Sequence, residues 1–273
     1  MSIPLGSKPL SSLLFRQKTI VYAGLLAIGL ASWGYMLWMA WAMEHMDIVE
    51  MWMPPRSGGR PWGFYDFWMC FVMWIIMMIA MMLPSISPMV LLFSKVNKTK
   101  KEKEQIYAPT FIFLSGYLLS WAVFSIIATL VQWPLHESAL LNPMMNSRSY
   151  LLSGLILISA GIYQFTPLKE VCLKHCRTPL TYLFAHWKDG KLGALYMGLH
   201  HGTFCVGCCW MLMAILFALG VMNLLWIMAL ALFVLFEKIP YIKDSYIRTI
   251  PGFVFIGWGV YWVHTYFLVN HLY

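Results

Sequence analysis

Charge is scarce in this chain. Only 11% of its 273 residues are Asp, Glu, Lys or Arg, and just 11 are acidic. Soluble domains carry about 25% charged residues, so a composition that is 60% apolar excludes an ordinary soluble fold and points to helices in a bilayer. The carboxylates nearest the apolar segments (Glu44, Asp66 and Glu237) sit at their edges. That argues against a carboxylate-rich diiron bundle and against proton-coupled transport through buried acids. A phosphate-cradling Gly-rich loop and a Ser/His/Asp constellation are both missing. An ATP-driven pump would therefore need a second subunit, and a metal-dependent enzyme using His200 and His201 lacks carboxylate partners. No connection is long enough for a soluble domain and no internal repeat is visible, so residues 1–273 read as one integral membrane domain. Cysteine is also sparse: five of the six fall in two tight clusters, which is not a disulfide framework.

What is abundant is long apolar sequence. Seven segments of roughly spanning length lie at about 20–43, 66–91, 107–132, 149–166, 192–219, 222–237 and 250–270. The first is too long for a signal-peptide core and reads as an uncleaved span. Pro84 and Pro88 are expected to break or kink the second, Pro167 to close the fourth, and Gly220 to turn the fifth into a short sixth. With this division, sixteen of the 19 Lys and Arg residues fall on one side, leaving Arg56, Arg60 and Arg148 on the other. The positive-inside rule then gives an all-α polytopic bundle of about seven spans, N-terminus cytoplasmic and C-terminus extracytoplasmic. Loop topology thus accounts for the net charge of +8, and a nucleic-acid partner is not needed.

Soft donors are concentrated in these segments. The fifth reads His200-His201-Gly-Thr-Phe-Cys205-Val-Gly-Cys208-Cys209. At 100° per residue, Cys205 and Cys208 flank His201 on one stripe with Cys209 at its border, while His200 points about 100° away. Thiolate and imidazole suit Cu(I) or Zn(II), and nearby thioethers favour Cu(I). The plain alternative is that small Cys and Gly residues only let helices pack. The second segment supplies Cys70, Met73, Met77 and Met81 near one face, where methionine also serves as adaptable packing. An outer cluster, Met43, His45 and Met46 with Asp47, offers thioethers and an imidazole, or is a polar interfacial loop. In the connection after the fourth segment, Cys172, His175 and Cys176 share one face if that stretch is helical, with His186 ten residues beyond.

At these residues the chain resembles the predicted metal-binding integral membrane proteins, a bacterial family of unknown function often described as copper-related. The resemblance spans roughly residues 60 to 240. It is carried by Met77–Ser85 with Pro88-Met89, by Tyr163–Lys169 running into Cys172 and Cys176, by Gly198–Gly202 through Cys205, Cys208 and Cys209, and by Met222-Asn223 and Glu237-Lys238. It implies an all-helical protein of the bacterial inner membrane with a metal role, and supplies no mechanism. The favoured expectation is a Cu(I) chaperone, carrier or delivery subunit, with Zn(II) as second ion and a metalloenzyme or another metal-binding protein as partner. The donors would form a ladder from the outer cluster through the membrane to Cys172, His175 and Cys176. The alternative is a thiol oxidoreductase using the Cys205-x-x-Cys208 pair.

Overall fold

A computed structural model describes residues 10–45, 52, 54–55, 60–102, 106, 108–141, 147, 149–239 and 244–271. Among the described residues the secondary structure is nine helices and one isolated bridge, Leu141 to Ser147. They are α1 Leu10–His45, α2 Phe64–Glu102, α3 Thr110–Glu137, α4 Tyr150–Gln164, α5 Pro167–Arg177, α6 Pro179–Ala185, α7 Gly190–Leu219, α8 Leu224–Glu237 and α9 Asp244–His271. The fold is all-α, and every expected apolar segment is helical. Five helices (α1, α2, α3, α7 and α9) are long and apolar enough to cross a membrane, and a sixth crossing results if α4 and α5 count as one bent span. The protein is therefore a multi-pass membrane protein. At 14 residues, α8 falls below spanning length.

Of the break or kink expected at Pro84 and Pro88, the break does not occur: α2 runs through both to Glu102. Pro84 has no N–H for the carbonyl of Ala80. The indole of Trp33 on α1 donates to that carbonyl at 3.0 Å, so the defect also fastens α1 to α2. Beyond α4 the chain turns by 65° into α5. Thr166 caps the new helix: its Oγ1 accepts from the Lys169 amide at 3.3 Å, and Pro167 takes the first helical position. The connection expected after the fourth segment is thus itself a helix, folded against α7.

Helix α7 lies at the centre, packed against α3, α4, α5 and α8. Its close approach to α3 depends on Gly198, where any side chain would collide with the backbone of Phe113. Such close contact between small residues gives the dispersion that holds helices together in lipid. Gly220 ends α7 with φ 109°, a left-handed value, and turns the chain into α8, which Asn223 caps by accepting from the Leu225 amide at 3.1 Å.

Two lysines counted as loop charges turn inward instead. Lys169 donates to both carboxylate oxygens of Glu237 at 2.7 and 3.0 Å, with both side chains buried. Arg177 Nε donates to the Glu237 carbonyl at 2.6 Å. These contacts join both ends of α5 to the end of α8 and bring the next residue, Lys238, to the centre of the protein.

A candidate copper site between α5, α7 and α8

On α7, His201, Cys205, Cys208 and Cys209 are all buried, as the stripe requires. Cys208 and Cys209 donate their thiols to the Cys205 carbonyl at 3.1 and 2.8 Å, so both sulfurs lean back toward Cys205. From α5, Cys176 reaches the same place and lines one cavity with Cys205. Two clusters 29 residues apart in the chain, Cys176 and Cys205, therefore meet. The ammonium of Lys238 donates to Cys205 Sγ at 2.9 Å and to Ser85 Oγ on α2 at 3.0 Å. Tyr117 Oη on α3 stands 3.1 Å from the same sulfur.

A cavity of about 240 Å³ opens onto this group. Cys176, Cys205, His201, Lys238, Ser85 and Met89 are among its lining residues. His201 Nδ1 is buried without a hydrogen-bond partner, which leaves a ring nitrogen of a cavity-lining imidazole uncommitted. Free thiols, a neutral imidazole and a thioether are the donor set that soft Cu(I) prefers. Among the described residues, no three His, Cys, Asp or Glu side chains are already disposed around one point as metal ligands. The Cys208 and Cys209 thiols bond to the Cys205 carbonyl, and Cys205 Sγ accepts from Lys238. An incoming ion would have to displace those weak contacts, a small cost beside metal–thiolate bonds.

The other residues singled out by the sequence are distributed as follows. Cys172 is buried with its sulfur against Gly207 of α7, and His175 stacks on Phe204 of the same helix at 4.1 Å. His200 leaves the cavity and bonds to Tyr182 on α6 at 2.9 Å. Met77 and Met81 are buried in α2, Met81 one turn from Ser85. Cys70 is buried about 22 Å along α2 from Ser85. At the C-terminal end of α1, His45 is exposed, bonded to the Trp41 carbonyl at 3.0 Å and stacked on that indole. Met46, Asp47 and the side chain of Met43 lie outside the described residues. Asp66 acts as a cap: it accepts from the Gly63 amide at 2.9 Å, from Arg60 and from Trp52. Lys238, Tyr117, Ser85 and Met89 were not foreseen as site residues. The signal available for Lys238 was the charged pair Glu237-Lys238 at the end of an otherwise apolar helix.

The family model described as PpoB2, copper chaperone, matches residues 71–262. This chain belongs to that copper chaperone family. The match includes all five cysteines of α5 and α7 together with Lys238, and begins after the Met43, His45 and Met46 cluster and just after Cys70. No curated protein and no solved structure matches the chain.

Proposed function

We propose that this protein takes up Cu(I) at the thiols of Cys176, Cys205 and Cys208, assisted by His201, and passes it to a client metalloenzyme or another metal-binding protein. The observation that carries this reading is the meeting of α5 and α7 thiols at a cavity beside an ammonium group. Copper is the cargo. Each thiol that binds it must lose its proton, so uptake releases protons to the cavity and weakens on acidification. Three thiolates around one Cu(I) leave a net charge of −2, half of which Lys238 offsets in a place where water cannot. His201 offers an uncommitted nitrogen as an exchange ligand, and Met89 a thioether. Zn(II) is the second ion this donor set would hold.

The same reading keeps the expected orientation in the bacterial inner membrane, with seven crossings and the N-terminus cytoplasmic. The cavity residues Cys176 and Lys238 then lie toward the basic, cytoplasmic side. The outer cluster of Met43, His45 and Met46 would act at the opposite face, as a separate station.

The thiol contacts also suit disulfide exchange, since all six cysteines are free and Lys238 would stabilise a Cys205 thiolate. Metal content separates the two readings. Purified protein loaded anaerobically with Cu(I) is expected to retain stoichiometric copper, and the Cys205→Ser, Cys208→Ser variant to lose it. Equal copper in both proteins would place binding elsewhere and sink the proposed site.

A further inference from the structure

Around Tyr182, whose ring lies edge-on to His201, three more imidazoles come together. His175 closes α5, His186 follows α6, and His200 stands on α7. Ring centres of His186 and His200 are 5.1 Å apart, and those of His175 and His186 are 6.4 Å apart. His175 and His200 both contact Phe204, one stacked at 4.1 Å and one edge-on at 4.9 Å. All three rings are half-buried, so each is held by protein yet reachable from outside.

Their hydrogen bonds fix which nitrogen carries the proton. His175 Nδ1 lies 2.9 Å from the Val171 carbonyl, and His186 Nδ1 lies 3.2 Å from the Tyr182 carbonyl. A carbonyl only accepts, so both rings must be protonated on Nδ1. The Tyr182 hydroxyl gives its own proton to the Met197 carbonyl at 3.0 Å. It therefore accepts from His200 Nδ1, 2.9 Å away. All three rings thus present an unprotonated Nε2, and among the described residues none of these has a hydrogen-bond partner. An Nδ1–H anchored to an oxygen with Nε2 left open is the arrangement that prepares histidine as a metal ligand.

We propose that His175, His186 and His200 form a second metal site, made of nitrogen donors alone and distinct from the thiol cavity. Three neutral imidazoles suit a closed-shell ion of borderline softness, Zn(II) or Cu(I). With metal–nitrogen bonds of about 2.0–2.1 Å and tetrahedral angles, ligating ring centres lie about 5 Å apart. The His186–His200 pair already meets that spacing. His175 closes the remainder by rotating off Phe204. Tyr182 stands between the two sites: it orients His200 through its hydroxyl, and its ring lies edge-on to His201 at 5.0 Å.

The test uses the full chain in detergent with the thiol site removed by Cys176→Ser, Cys205→Ser and Cys208→Ser, titrated with Zn(II) against a chromophoric chelator. This background is expected to bind one Zn(II), and adding His186→Asn or His200→Asn to weaken it at least about tenfold. The asparagine amide can still donate to Tyr182 where Nδ1–H did, so a purely structural histidine would tolerate the change. Zn(II) binding unaffected by either substitution, or no Zn(II) bound in the thiol-free background, overturns the proposal. Because that background has no thiol cavity, neither result bears on copper uptake at Cys176, Cys205 and Cys208.

Discussion

Lys238 shows how one residue changes meaning between sequence and structure. In the sequence it is one of many basic residues near the ends of apolar segments. In the fold its ammonium is 2.9 Å from Cys205 Sγ and 3.0 Å from Ser85 Oγ. Two unit charges 4 Å apart attract by about 4 kcal/mol at an effective dielectric of 20, and desolvation offsets part of that. Lys238→Met is therefore expected to weaken Cu(I) retention roughly ten- to a hundredfold, at about 1.4 kcal/mol per factor of ten. Lys238→Arg, which keeps the charge, should recover much of it. Competition against a Cu(I) chelator measures both, and unchanged affinity in the methionine variant would remove Lys238 from the site. The stripe of His201, Cys205 and Cys208 was legible because helical periodicity alone places these side chains on one face. The contact of Cys176 with that stripe was not, since it depends on how a separate helix folds back. His175 and Cys176 are neighbours in sequence yet face different sites, because successive residues on a helix diverge by about 100°.

At the scale of elements, α5 determines whether the site is assembled. Its start is set by Thr166 and Pro167, and its seat on α7 is helped by the Tyr163 hydroxyl, which donates to the Gly207 carbonyl. Its attachment to α8 is the buried Lys169–Glu237 pair, reinforced by Arg177. Removing one partner of such a pair leaves a buried charge uncompensated, at a cost of about 3–5 kcal/mol. We expect Lys169→Met to lower the melting temperature in detergent and also to lower the yield of Cys176–Cys205 disulfide under mild oxidation, read by peptide mapping. The double variant Lys169→Met, Glu237→Leu should regain much of the stability, since a well-packed apolar pair can replace a buried ion pair. A Lys169→Met protein with normal melting and normal trapping would show that α5 is held by its helix contacts alone. Sequence reasoning identified the α5 stretch as a possible helix with three donors on one face. It could not foresee the 65° turn, because Thr166-Pro167 marks where a helix starts and leaves its direction to tertiary contacts.

For the whole molecule, the seven apolar segments were readable because hydrocarbon permits only backbone that bonds within itself. Their crossing pattern depends on α8. Its 14 residues extend about 21 Å against a hydrocarbon core of about 30 Å. Yet α8 begins at the Gly220 turn that closes α7 and ends beside Cys205, Lys169 and Arg177. It therefore runs back along the protein toward the end where α7 starts. Just beyond it, Arg248 of α9 pairs with Glu170 of α5 at 3.3 Å. Helix α8 can be short because its last residue stops inside the protein, at the thiol cavity, and need not reach the surface. Were the chain instead to return from α8 to the side it left, Lys238, Lys243 and Arg248 would change sides, and the basic bias would fall from sixteen against three to thirteen against six. Seven crossings are the expected outcome, with the two termini on opposite sides. Reporter domains fused separately at each end, one active only in the cytoplasm and one only outside it, measure this directly. Termini on opposite sides would make α8 a true crossing with its lysine delivered to the cavity from the cytoplasmic half. Termini on the same side would make α8 a re-entrant segment that returns to the side where α7 ends, and would move the basic end of α9, with Arg248, to the outer face.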